Sequence, residues 1–232
     1  MNNKVFIYIY NLFYKLLKNY FIKKYKSELL ESTLCFKNSC KENVKEIEIH
    51  KIAVPLQMKF KEQNEAIAKF GCYFLCILFI GLVVKEIKNN VEKCFDCFEI
   101  DLLFKGLANK GCLREDNAYV NSPNGIFANL GIDEDIYFDE KHHPNSYVPE
   151  ESDILIGKYK DENSGFYHFV IVKNNLSSII WDSLGNSKAV SSTSGHLNSL
   201  RVFKIQNKAI IKPVKDRLEF YSTEFRNNLK EA

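Results

Sequence analysis

Phe70-Gly-Cys-Tyr-Phe-Leu-Cys-Ile-Leu-Phe-Ile-Gly-Leu-Val-Val84 is the longest apolar run in the sequence. Lys85 ends it, and the polar segment Lys61-Glu-Gln-Asn-Glu65 lies shortly before it. The run falls short of the ~18 to 20 residues that a membrane-spanning helix needs. A helix that is apolar on every side and too short to span a bilayer belongs in the centre of a domain. Cys72 lies at its start, just after Gly71. A thiol at a helix N-terminus feels the positive end of the helix dipole, which favours thiolate. The stretch therefore predicts a buried helix over 72–84 with a candidate nucleophile at its mouth.

The rest of the chain is long enough to build a domain around that helix. It has 232 residues, 46% of them apolar, which suits one domain of ordinary size plus an extension. Its 32 basic and 29 acidic residues leave a net charge of only +3, which gives no reason to expect nucleic acid or an anionic membrane as partner. Seven cysteines, an odd number, do not read as a disulfide framework. Reduced thiols in the cytoplasm are the simpler reading. Met1 to Leu17 is apolar and aromatic, but Asn11 and Lys15 interrupt it and no small-residue cleavage site follows, which argues against a secretory signal. Phe6, Tyr10, Phe13, Leu17 and Phe21 recur at helical steps and form one stripe. That stripe is expected to pack on the domain; the alternative is a membrane-surface or partner helix with a lysine-rich flank.

Downstream of the central run the signals are helical, then change to strands. Residues 51–60, with Pro55, suit an extended lead-in, and Gln63 and Asn64 then sit in a loop before Cys72. Apolar residues at Phe95, Phe98, Leu102, Leu103 and Leu107 predict a helix ending near Gly111. Ser122-Pro123 opens a short helix with Gly131 just past its end. Residues 133–149 are acidic and then His-His-Pro, and read as a loop. Strands are predicted over 153–159, 166–172, 178–181 and 199–205, and a short charged helix from Val214. Helices first, then an antiparallel meander, is an α+β arrangement. The expected organisation is an N-terminal helical extension and connector over 1–50, the main domain over 51–212, and a charged C-terminal helix over 213–232.

Two residues on the predicted strands complete a nucleophilic set. His168 lies early in the second strand and Asp182 ends the third. A turn centred on Asn175 sets His168 directly opposite Asp182, with both side chains on one face. A turn centred between Asn174 and Asn175 sets His168 opposite Trp181 and carries Asp182 to the other face. In the first register Asp182 orients His168, and His168 takes the proton of Cys72 and later protonates the leaving group. The Cys72 backbone N–H supplies one oxyanion donor, and the Gln63 side-chain amide is the candidate for the second.

These pieces resemble the papain-like cysteine hydrolases, especially the bacteriocin-processing and phage-type branch. The matching segments are Gln63 ahead of Gly71-Cys72, His168-Phe-Val-Ile-Val172, and Ile179-Ile-Trp-Asp-Ser-Leu-Gly185. The resemblance covers about residues 51 to 206 and implies a papain-like fold with Cys, His and Asp in chain order. Tyr73 departs from it, standing where many relatives carry Gly or Trp, and Gln63 precedes Cys72 by nine residues, more than the usual gap. The chain also resembles a family of uncharacterised plasmid-encoded proteins of Borrelia spirochaetes in which a Gly-Cys-Tyr-Phe segment recurs.

Each residue alone has a plainer role. Cysteine is among the most buried residue types, so core packing is the ordinary fate of Cys72 and especially of Cys76. A single histidine beside an apolar strand is more often a satisfied core histidine. Cys94-Phe-Asp-Cys97 is half a zinc site with no second pair at suitable spacing, so no metal or cofactor is expected. Asp133-Glu-Asp135 with Asp139-Glu140 reads as a solvated acidic loop. The set as a whole favours a thiol hydrolase acting on a peptide, isopeptide or peptidoglycan amide bond. The rival is a catalytically inactive scaffold of the same fold, of plasmid or phage origin, that holds a partner.

Overall fold

The computed structural model describes residues 54–89 and 95–230, and the side chains of residues 54–89 and 95–223. These residues belong to one compact unit that begins at His50. The aromatic stripe of residues 6–21, Cys35, Cys40 and Cys94 lie outside the described residues.

The fold is α+β. A 3-10 turn over Gln57–Phe60 leads into α1 (Glu65–Phe70), capped by the Asn64 side chain on the Ile67 amide. Then come α2 (Cys72–Asn89), α3 (Cys97–Asn109) and α4 (Pro123–Leu130). α2 continues five residues beyond Val84, to Asn89. α3 opens on a capping box formed by Asp96 and Glu99, and α4 ends on Gly131 at φ 72°, a left-handed position that suits glycine.

Five strands follow: β1 (Ile136–His142), β2 (Asp153–Asp161), β3 (Tyr167–Val172), β4 (Ile179–Asp182) and β5 (Gly195–Ile205). They form one sheet in the order β1-β5-β2-β3-β4, and every neighbouring pair is antiparallel. A short helix, α5 (Lys188–Ser191), interrupts the path from β4 to β5, and α6 (Ile211–Lys230) closes the chain.

Three sequence expectations are corrected. Residues 136–142, expected as loop, form an edge strand, exposed over Asp139–Lys141, so their composition carries little apolar alternation. The acidic segment before it is not wholly solvated. Asp135 is buried and paired with Lys88 at 2.7 Å, while Asp133, Glu134, Asp139 and Glu140 are exposed. The C-terminal helix is twenty residues long, and its Val214, Leu218 and Tyr221 belong to the main core.

α2 sits in the middle of that core. From Phe74 to Val84 every side chain on it is buried, because neighbours cover it on all sides. Gly81 lets α4 approach closely: a Cβ there would stand 2.5 Å from Leu130 Cδ1. Phe79 stacks on Trp181 of β4, with centroids 4.9 Å apart, and meets Tyr221 of α6 edge-on. A smaller cluster, including Leu155, Val170, Val172, Ala189 and Val202, fills the space between the sheet and α5.

Phe79 is 2% exposed, so Phe79→Ala leaves a cavity between α2, β4 and α6. A loss of about 3–5 kcal/mol in unfolding free energy is expected. Denaturant titration followed by the fluorescence of Trp181, the single tryptophan, measures it. A loss under about 1 kcal/mol would deny this stack a place in the core.

Candidate functional site

α1 and α2 are nearly one helix, broken at Gly71. The Gly71 amide still bonds to Ile67 O, and Leu75 N bonds to Gly71 O. Between them the helix is interrupted, and Gly71 belongs to neither α1 nor α2. Glycine is required at the break, since a Cβ would lie 2.5 Å from Ile67 O. Cys72 is therefore the first residue of α2, at a helix N-terminus.

The carbonyl of Ala68, which a continuous helix would offer to the Cys72 amide, accepts instead from Gln57 Nε2 at 3.1 Å. Gln57 is buried, and its other groups reach the end of β4. Its Oε1 accepts from Ser183 Oγ at 3.0 Å, and the Gln57 backbone N–H donates to Ser183 O at 2.8 Å. One side chain thus ties the turn before Cys72 to the residue after Asp182. Gln63, expected as an oxyanion donor, is exposed on the turn before α1, and no described hydrogen bond of its side chain joins it to the site.

His168 and Asp182 meet on the sheet, but in neither expected register. Val170 pairs with Asp182, Ile171 with Trp181, and Val172 with Ile179. Ile180 is therefore an extra residue, a β-bulge. Had the pairing of Val172 with Ile179 continued unbroken, Asp182 would face Phe169 and point away from His168. The bulge shifts β4 by one residue and returns Asp182 to the face that carries His168 and Val170. The two side chains are diagonal neighbours rather than direct partners, close enough to bond.

The bond is short: His168 Nε2 to Asp182 Oδ1 is 2.6 Å, with both side chains almost fully buried. Asp182 is held further by backbone donors, Leu184 N to Oδ1 at 2.8 Å and Ser187 N to Oδ2 at 3.0 Å. Gly185, at φ 82°, closes the turn through its amide on Asp182 O. This is why the motif runs Trp-Asp-Ser-Leu-Gly: the carboxylate needs the following amides folded back onto it, and the return needs a left-handed residue. Burial pushes the Asp182 carboxyl up, but the His168 bond and charge and the two amides outweigh it, and the net shift is downward.

The other ring nitrogen, Nδ1, is buried and meets no partner at full hydrogen-bond geometry among the described residues. The Cys72 thiol is a looser contact of the same ring and acts on it by hydrogen bonding and by charge. Burial pushes the imidazole down, yet Asp182 and Cys72 together overcome it and raise His168 to about 9. Cys76, one turn deeper, is the contrasting thiol. Burial pushes it well up, the charges of Cys72 and Asp182 add to this, and its Sγ donates to Phe169 O at 3.4 Å.

Beside these groups lies an open cleft of ≈ 380 Å³. Phe70 and Tyr73, which bracket Gly71-Cys72, form one wall, and Phe169, next to His168, forms another. Tyr73 and Phe169 pack with centroids 4.6 Å apart. The far wall comes from the loop around Ala118, whose φ of 52° is unusual for a residue other than glycine. Arg201 of β5 reaches in from the sheet.

Sequence reading missed Gln57, the Ala118 loop and Arg201. Gln57 carried one faint signal, a polar residue among Val54, Leu56, Met58 and Phe60. The other two come from elements distant in sequence and had none.

Residues 58–205 match the family described as protein of unknown function, DUF261, and the chain belongs to that family. No curated protein and no solved structure matches the chain.

The raised His168 makes stability depend on pH. A raised imidazole stabilises the fold fully below its ordinary value of 6.5 and loses that contribution as pH rises through about 9. Urea unfolding of the wild type and of Asp182→Asn across that range should show the wild-type advantage constant at low pH and shrinking toward high pH. An advantage that grows with pH would contradict the assignment.

Proposed function

We propose that the protein is a papain-like thiol hydrolase that cleaves an amide bond with Cys72, His168 and Asp182. The observation that carries this reading is one imidazole between two partners. Its Nε2 is bonded to a buried carboxylate, and a thiol at a helix start acts on the same ring. The order of parts supports it: a buried helix with cysteine first, then an antiparallel sheet with histidine and aspartate on adjacent strands.

In this mechanism His168 takes the proton of Cys72, giving a thiolate and an imidazolium. The sulfur attacks the substrate carbonyl carbon. The resulting oxyanion takes a hydrogen bond from the Cys72 N–H, at the start of α2. The C–N bond breaks as the imidazolium protonates the departing amine, leaving a thioester on Cys72. Water then attacks the thioester, with His168 as general base, and frees the acid. Asp182 orients the ring and stabilises its charged form. Gln57 is a positioning residue that holds the Asp182 turn against the Cys72 turn. The substrate amide is a peptide, isopeptide or peptidoglycan bond.

No described helix is long and apolar enough to cross a membrane. Cys72, Cys76, Cys97 and Cys112 are free. The proposal places the protein in the cytoplasm, where a catalytic thiol stays reduced. The rival reading, an inactive scaffold, draws on the low exposure of Cys72 (8%) and His168 (0%).

Alkylation separates the two. With iodoacetamide at mildly acidic pH, Cys72 should react well ahead of Cys97 and the other accessible thiols, and Cys76 should stay inert. His168→Ala should abolish that selectivity while the protein stays folded by circular dichroism. Equal labelling of all exposed thiols, or none at Cys72, would make the scaffold the better reading.

A further inference from the structure

Arg201 lies on β5, between Lys141 of β1 and Ile156 of β2. It is partly buried, and its guanidinium lies 5.6 Å from the Phe169 ring and 6.0 Å from the Tyr73 ring. Nη1 donates to Ser199 Oγ at 3.1 Å and to Leu200 O at 3.3 Å. Nε and Nη2 have no acceptor among the described residues, and no described carboxylate forms an ion pair with Arg201. Burial pulls it below its ordinary range, opposed by the phenols of Tyr73 and Tyr119.

Lys158 of β2, paired with Phe169, approaches the same ring. Its Nζ lies 3.9 Å from the Tyr167 ring and 6.0 Å from the Phe169 ring. It too has no carboxylate partner among the described residues. Burial and the charges of Arg201 and Lys141 pull it down, and only Cys72 acts in the opposite direction. Two cations held near each other without an acid cost stability, because buried charge is ordinarily paired. The arrangement is explained by an anion that arrives with the substrate. Arg201 lines the cleft and leaves part of its fork free, a geometry suited to a planar oxyanion.

We infer that the cleft selects amide substrates carrying a carboxylate beside the bond to be cut, with Arg201 as its main contact and Lys158 as supporting charge. This rests on the thiol-hydrolase reading, since it makes Arg201 a specificity residue for attack by Cys72. The carboxylate comes from a chain terminus or from an acidic side chain.

Iodoacetate and iodoacetamide test this without a known substrate. In both, the Cys72 sulfur forms a bond to the CH2 carbon and iodide leaves, but only iodoacetate carries a carboxylate. The ratio of iodoacetate to iodoacetamide rates at Cys72 should exceed the same ratio at Cys97, a free thiol on α3, by about tenfold or more, as expected for a charge-assisted contact. Arg201→Gln should bring the Cys72 ratio down toward that of Cys97, and Arg201→Lys should retain part of it. A Cys72 ratio equal to that of Cys97, or one unmoved by Arg201→Gln, overturns the inference and leaves the hydrolase reading standing. If Arg201→Gln slows both reagents together, the ratio is unmoved, Arg201 serves the thiolate, and the inference also falls. Labelling of Cys72 by neither reagent removes the hydrolase reading and this one with it.

A second measurement needs no variant. N-acetylglycine, with a terminal carboxylate, or N-acetylaspartate methylamide, with a side-chain carboxylate, should protect wild-type Cys72 against iodoacetamide at matched ionic strength. Saturable protection by one identifies the source of the carboxylate. Protection by neither overturns the inference.

Discussion

His168 and Asp182 share a face of the sheet because β4 carries one residue more than β3 at Ile180. Side-chain direction in a strand has a period of two, so a one-residue change reverses every position beyond it. Everything proposed for the site depends on that reversal. Without it Asp182 would lie on the Phe169 face, and the buried imidazole would lose its carboxylate. The contacts on either side of the bulge bear this out. Ile179 packs with the smaller cluster behind the sheet, whereas Ile180 and Trp181 both belong to the main core.

The remainder of the architecture brings the cysteine to that dyad. α2 is apolar all round because it is surrounded, and its depth is set by Phe79 against Trp181 on the same short strand that carries Asp182. Gly71 stops the preceding helix one residue before Cys72, and Gln57 takes the carbonyl that would otherwise have closed the ladder. The same glutamine is bonded to Ser183 on both its backbone and its side chain. The helix turn before Cys72 and the residue after Asp182 are thus joined by buried hydrogen bonds of Gln57. Buried polar groups of this kind are costly when unpaired, which gives the network a strong preference for one arrangement.

The sequence was most legible where one residue type had one physical use. The apolar run, Gly71-Cys72, the Ser122-Pro123 helix start and the Gly131 stop all carried local signals strong enough to place their elements. β1 was not legible, because an exposed edge strand needs no apolar alternation. The register was not legible either. Neither turn considered for Asn174-Asn175 contains a bulge, and Ile180 looks like any other strand residue until its neighbours are seen. Gln63 drew attention for its position before Cys72, but proximity in sequence was misleading. Gln57 is six residues further from the cysteine, and the 3-10 turn and α1 fold it back against Ala68. Arg201, more than a hundred residues downstream of Cys72, reaches the cleft only through the order of strands in the sheet.

The charge state of His168 tests the central claim most directly, and it is readable by NMR of the imidazole nitrogens in labelled protein. If Asp182 and Cys72 both act on the ring, His168 should remain imidazolium at pH 8 and titrate at about 9 in the wild type. In Cys72→Ser and Asp182→Asn its titration should move downward, because each removes a group that favours the charged ring. A wild-type His168 that is neutral at pH 8 and indifferent to both substitutions would mean that the three residues are neighbours in the core and not a catalytic unit.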